Sequence, residues 1–237
     1  MVDEKKTGII FYERFAQFFI MNEGSKAKII IKILNKIYPK TPIPLKSKNT
    51  FTLLISVLLS AQCTDVNVNN VTKDIYPKHY KPEHFVKLGR KKIERLIKKI
   101  GIFRVKAKSI YLMSKQVLEK HNGKVPKTFE ELEKLPGVGH KTASVVMSQG
   151  FGYPAFAVDT HIHRLAQRWG LTSGKSVVET EKDLKRIFPK KTWSKLHLQI
   201  IFYGREYCKA RDCYGLTCKI CTTCYPSRKK PVITQKA

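Results

Sequence analysis

The sequence lacks any apolar run long enough to cross a bilayer. Among its longest is Phe51 to Leu59, about half of what a spanning helix needs. The patch from Phe15 to Met21 is preceded by Glu13 and Arg14 and followed by Asn22 and Glu23. It has neither the basic start and longer apolar centre nor the small-residue cleavage site of a secretory signal. Acidic residues are also scarce: 18 stand against 46 Lys and Arg, a formal net charge of +28 on 237 residues. A compact chain with that excess repels itself unless a polyanion is its usual partner. Nucleic acid is the first candidate and an anionic membrane surface the second, and the short apolar runs argue against the second. Alternating apolar and polar segments are few, and no internal repeat is visible. Outside one segment cysteine is nearly absent: Cys63 stands alone and the other five fall between Cys208 and Cys224. A disulfide framework spreads along a short secreted chain, whereas a tight cluster in a basic chain reads as a metal site. These absences predict a soluble, intracellular protein; a monomer, cytoplasmic or nucleoid-associated, is expected.

What is present is helical periodicity, so the fold class is all-α. Hydrophobic residues make up 42% of the chain, enough for a core and too many for wholesale disorder. Ile29, Ile30, Ile33, Leu34 and Ile37 predict an amphipathic helix that stops before Pro39. Lys40 to Lys48, with Pro42 and Pro44, reads as a linker. Phe51 to Ser60 is apolar nearly all round, the pattern of a buried central helix. Further helices are expected from Pro82 to Leu88, Ile93 to Ile100, Lys106 to Leu118, Phe129 to Leu135 and His140 to Met147. Three more run from Asp159 or Thr160 to Trp169, Val177 to Phe188 and Trp193 to Tyr207, with Gly101 and Gly123 as helix stops. Residues 1–25 read as an N-terminal extension, with Met21 a candidate start, and residues 225–237 as a loose basic tail.

The segment from Leu135 to Ala143, Leu-Pro-Gly-Val-Gly-His-Lys-Thr-Ala, is the most informative. One short helix ends at Pro136, and Gly137 and Gly139 allow a tight turn with unusual φ angles. A second helix starts at once. Its free N–H groups, with those of the turn, can hold a phosphate. With Val138 packed inward this is a helix–hairpin–helix, a grip on DNA backbone; an ordinary helix–turn–helix connection is the plainer reading. Lys141 lies in the first turn of the second helix, where the positive end of the helix dipole disfavours an ammonium ion. A neutral amine is what a Schiff-base nucleophile needs; the bland alternative is a lysine that only binds phosphate.

Here the sequence resembles the endonuclease III family. Three segments carry the likeness: Leu135 to Ala143; Ala157-Val-Asp-Thr-His-Ile-His-Arg164; and Leu58-Leu-Ser-Ala-Gln-Cys-Thr-Asp65. Similarity runs from about Lys26 to Cys224. The resemblance implies two helical lobes flanking a DNA-binding cleft. A six-helix barrel with the helix–hairpin–helix would span residues 44–153, and a discontinuous domain with the cluster loop would combine residues 26–43 and 154–224. It implies base excision repair: a glycosylase that removes oxidised pyrimidines from double-stranded DNA and an abasic-site lyase. Lys141 would attack C1′ and Asp159 would assist, taking the lysine proton or stabilising positive charge on the sugar. Gln62 would fill the space left by the extruded base and Ile102 would wedge beside it, while Gly137, Gly139, His140 and Thr142 would contact DNA. Extrusion is required because the reacting atoms are hidden in a stacked duplex. Related mismatch-specific adenine glycosylases lack a lysine where Lys141 stands, so its presence points to bifunctional chemistry. On simpler readings Asp159 is only an N-cap, Gln62 a buried hydrogen-bonding group and Ile102 core; His161 and His163 read as packing or surface residues.

Four of the five clustered thiols can bind zinc or a 4Fe-4S cluster, and spacing alone does not choose. The resemblance implies the 4Fe-4S cluster, but the chain departs from the family's Cys-x6-Cys-x2-Cys-x5-Cys, because Gly215 stands at the second ligand position. Cys213 or Cys221 must supply the missing thiolate. The favoured set is Cys208, Cys218, Cys221 and Cys224, with Cys213 spare. A non-catalytic DNA-binding protein would have no need of Lys141 paired with Asp159, and a zinc-ribbon module would leave the helical core unexplained.

Overall fold

The computed structural model describes residues 21–237, so most of the expected extension lies outside the described residues. Among these residues there are helices and no strands. The elements are α1 (Glu23–Ile37), α2 (Thr50–Ser60), α3 (Asp65–Thr72), α4 (Pro82–Leu96), α5 (Phe103–His121), α6 (Phe129–Glu133) and α7 (His140–Val145). A single π turn (Val146–Gly150) continues α7, and α8 (Thr160–Arg168), α9 (Val177–Ile187), α10 (Trp193–Glu206) and α11 (Lys219–Cys224) follow. None of the described helices is long and apolar enough to cross a membrane.

The chain forms two compact units. The hairpin unit comprises Lys40–Val158 and Lys190–Leu198; the thiol unit comprises the described residues up to Pro39, Asp159–Pro189 and Gln199–Ala237.

The hairpin unit is built around α2. Asn49 and Thr52 start that helix with a reciprocal capping box, the Asn49 Oδ1 accepting from the Thr52 N–H at 2.9 Å and the Thr52 Oγ1 accepting from the Asn49 N–H at 2.9 Å. Every residue from Phe51 to Leu59 is buried, as its all-round apolar pattern requires. Around it pack Phe85, Ile93, Ile110, Met113, Leu132, Val138 and Val146. The break expected between Leu88 and Ile93 is a kink at Gly89, whose φ of 72° lies outside helical geometry. Gly101 is not a helix stop, since α4 has already ended at Leu96. Asn122 closes α5 in the left-handed conformation, and the Gly123 N–H reaches back to the Val117 carbonyl at 3.0 Å. Helix α3 has no apolar face long enough to announce itself; the Thr64 hydroxyl caps it by accepting from the Asn67 N–H at 3.2 Å, and Val68 and Val71 dock it on the core.

In the thiol unit Ile30 and Leu34 of α1, Ile162 and Leu165 of α8 with Trp169 at its C-cap, Leu184 of α9 and Tyr203 of α10 are buried. Arg186 of α9 grips Glu23 of α1 through two hydrogen bonds of 2.6 and 3.1 Å. The basic tail is without helix or strand but is not loose: the Val232 N–H donates to the Tyr214 carbonyl at 2.9 Å and Gln235 exchanges two hydrogen bonds with Gln167.

Candidate functional site

The hairpin is made by α6, a six-residue connection, and α7. Helix α6 ends at Glu133, earlier than the sequence implies, and the chain continues through turns closed by the Leu135 and Val138 N–H groups. Only Gly137 needs glycine for its conformation, with φ at 80°. A Cβ there would also stand 2.8 Å from Ser109 Cβ of α5 and 3.1 Å from Leu58 Cδ1 of α2. Gly139 is extended, with φ at −97°, and nothing lies within 4 Å of the position its Cβ would take. Its lack of a side chain leaves the backbone open to an outside group. Val138 is the buried member of the turn at 6% exposure, while Gly137 and Gly139 are exposed.

Lys141 is exposed in the first turn of α7, and Thr142 beside it is half-buried. His140 stacks on Phe129 with ring centroids 5.6 Å apart, and its Nδ1 lies 2.7 Å from Glu133 Oε1. Both contacts run back to α6, so His140 ties the two helices of the hairpin together.

Gln62 and Ile102 share a feature that periodicity does not reveal. Both are exposed and both have φ at 54°, the left-handed region that costs a side-chain-bearing residue on the order of 1 kcal/mol. The structure brings their two segments together. The position of a Gly101 Cβ lies 3.8 Å from the Gln62 carbonyl oxygen, and the Asn67 amide donates both to Cys63 Sγ and to the Lys99 carbonyl at 3.2 Å. Lys106, which sequence reasoning missed, also reaches the first segment: its Nζ donates to the carbonyls of Leu59 at 2.9 Å and Ala61 at 2.6 Å. A signal existed, since Lys106 falls in phase with the buried Ile110, Met113 and Val117.

Asp159 belongs to the thiol unit. It caps α8, Oδ1 accepting the Ile162 N–H at 2.8 Å. His163 is buried, its Nδ1 2.8 Å from the Thr180 hydroxyl, and burial pushes its imidazole below the usual histidine range. It is a packing residue.

The five clustered thiols are all buried, and the Sγ atoms of Cys208, Cys213, Cys218 and Cys221 lie within 4.8 Å of one another. Relative to the set favoured from the family resemblance, this grouping exchanges Cys224 for Cys213. The reason is local. Gly215, at φ 82° with Arg228 Nη1 only 2.9 Å from the position of a Cβ, turns the loop, and Cys213 comes beside Cys221 at 3.9 Å. For Cys213, burial acts to raise the thiol but the Cys218 and Thr217 N–H groups outweigh it and hold it below the ordinary range. Burial pushes Cys224 the other way, up to about 11.

Arg168, 2% exposed, donates to the carbonyls of Lys209 at 2.8 Å and Ala210 at 2.9 Å and lies 3.4 Å from Cys208 Sγ. Negative charge nearby offsets the cost of burying a guanidinium. Four thiolates on a metal would supply it, so the donor set fits a resident metal group.

The pattern of the HhH-GPD superfamily of base excision DNA repair proteins matches residues 55–190. Endonuclease III of Bacillus subtilis is 43% identical over 198 residues, covering 83% of this chain and 90% of that one. Endonuclease III of Escherichia coli K12 is 41% identical over 192 residues, covering 81% and 90%. A solved structure of a non-covalent endonuclease III–DNA complex superposes with a TM-score of 0.80 at 41% identity, covering 84% of this chain and 94% of that one. A trapped covalent endonuclease III–DNA intermediate matches equally well, also at a TM-score of 0.80.

Proposed function

We propose, on the premise that this chain belongs to the endonuclease III family within the HhH-GPD base excision repair superfamily, that Lys141 is the nucleophile of its reaction. The protein is a DNA glycosylase and abasic-site lyase acting on double-stranded DNA that carries oxidised pyrimidines or abasic sites. The Nζ of Lys141 attacks C1′ of an extruded nucleotide, and the base leaves with the electrons of its bond to the sugar. Ring opening gives a Schiff base, which acidifies the C2′ proton. Loss of that proton expels the 3′ phosphate by β-elimination, and water then frees the amine.

Asp159 accepts the lysine proton or stabilises charge on the sugar. Its Oδ1 is engaged as a helix cap, so the same carboxylate is fixed in place by the helix it starts. Gly137, Gly139, His140 and Thr142 hold the phosphate backbone. The open position at Gly139 supports this, because a side chain there would stand between the backbone N–H groups and a phosphate. Gln62 fills the gap left by the extruded nucleotide and Ile102 wedges beside it.

Cys208, Cys213, Cys218 and Cys221 hold a 4Fe-4S cluster and Cys224 is spare; the group's contribution is structural, fixing the basic loop of Lys209, Arg211 and Lys219. The four-thiol grouping supports this set.

The observation that carries the catalytic reading is an exposed lysine one residue into the helix that follows a turn in which Val138 is buried and both glycines are exposed. The test is borohydride trapping on duplex DNA bearing one abasic site. Wild type forms a covalent adduct and Lys141→Gln does not. A wild-type protein that binds the duplex but forms no adduct is a DNA binder or a glycosylase without lyase chemistry.

A further inference from the structure

Helix α5 carries a buried cation with no part in the chemistry described so far. Lys106 is 5% exposed and sits among Ala107, Ile110 and Met113. Burial pushes its ammonium group below the usual lysine range, so the charge is held at a cost. A methionine would fill similar space without that desolvation. The groups that hold it are carbonyls, those of Leu59 and Ala61, at the end of α2, where helix carbonyls have no partner of their own and the dipole favours a cation.

The Ala61 carbonyl belongs to the peptide group that leads into Gln62, so its orientation sets the φ of Gln62. At the other end of the same residue, the Lys106 N–H donates to the Ile102 carbonyl at 3.2 Å. That carbonyl belongs to the peptide group leaving Ile102. One residue therefore holds the backbone on one side of both left-handed positions. Three residues further along α5, Ser109 lies against the hairpin at Gly137.

We infer that Lys106 is a positioning residue for nucleotide extrusion: it fastens the Gln62 segment to the start of α5, so that Gln62 and Ile102 enter the duplex as one rigid wedge. The inference rests on the reading of Gln62 and Ile102 as the residues that occupy the duplex. It requires Lys106 to matter where a nucleotide must be extruded and to matter little where none is stacked. A residue needed only for folding would affect both alike.

Single-turnover borohydride trapping tests this on an abasic site placed first in duplex DNA and then in the same strand alone. The proteins are wild type, Lys106→Met, Gln62→Ala and the double variant, each checked for helical content and thermal midpoint. Lys106→Met is expected to lower the duplex-to-single-strand ratio of trapping rates about tenfold, or ~1.4 kcal/mol of selective stabilisation. Added to Gln62→Ala, it should lower the ratio by at most about twofold more, because the two act through one device. An unchanged ratio in Lys106→Met, or a full additional loss in the double variant, overturns the proposal while leaving Gln62 in its role. An unchanged ratio in Gln62→Ala overturns it through its premise. Lys106→Gln, too short to reach both carbonyls, carries the same prediction should Lys106→Met not fold.

Discussion

Lys141, Gln62 and Ile102 are exposed side chains standing on a largely apolar unit, and what is held there is the backbone beneath them, by Lys106, by Asn67 and by the close packing of Gly137 on Ser109. In the thiol unit the relation is reversed. The cysteines are buried, the loop around them is irregular, with Tyr214 and Gly215 both at positive φ, and buried Arg168 is held by loop carbonyls. The first unit completes its working surface without a ligand. The second gathers buried thiols beside a buried guanidinium, a donor set that fits a metal. Substitutions should therefore separate at these side chains, chemistry without stability at exposed Lys141 and stability without direct chemistry at the buried thiols.

The sharpest test of that contrast is Lys141→Gln, expected to lower trapping on abasic duplex DNA by on the order of a thousandfold or more. Because the side chain is exposed, its thermal midpoint should correspond to a change within about 0.5 kcal/mol. A large loss of stability would break the comparison. The next largest effect belongs to the thiols. Cys213→Ser should abolish the brown colour and the absorbance near 400 nm, on the order of what a bound 4Fe-4S cluster gives, and Cys224→Ser should keep both. The opposite pattern would return Cys224 to the ligand set.

Gly137→Ala comes third. A Cβ 2.8 Å from Ser109 on a residue at φ 80° should cost about 1–3 kcal/mol in chemical denaturation. Gly139→Ala, with open space and negative φ, should be nearly silent in stability and weaken duplex binding in a salt titration. Asp159 comes fourth. Alanine there should remove about 1 kcal/mol with the cap, whereas Asp159→Asn keeps the cap and isolates the loss of the carboxylate in the trapping rate. Equal trapping by Asp159→Asn and wild type would leave Asp159 a cap alone.

Much of the helical framework was legible because apolar residues at helical spacing must face a core. Phe51 to Leu59 is buried throughout, as its composition demands, and Asp159 caps the helix it precedes. What escaped was whatever periodicity does not encode. Helix α3 is short, rich in Asn and held by a cap and two valines. Helix α11 begins at the thiol cluster, where its apolar residues are mostly cysteines. The tail composition reads as loose, yet Arg228 donates to the Arg168 carbonyl at 2.7 Å and to that of Gly215 at 3.0 Å. Lys106 and Arg168 were hidden for the same reason: a single basic residue on an apolar face is lost in a chain with 46 of them.

By itself the sequence determined the all-α class, the basic character, the glycine turn with its lysine and the clustering of thiols within one short segment. These are local properties, set by side-chain type and spacing along the chain. Only the tertiary structure decided which thiols meet, that Gln62 and Ile102 share one backbone conformation, and that a lysine of α5 closes the end of α2. Those depend on groups far apart in sequence, such as Lys106 and Ala61, whose meeting is fixed by how the helices pack.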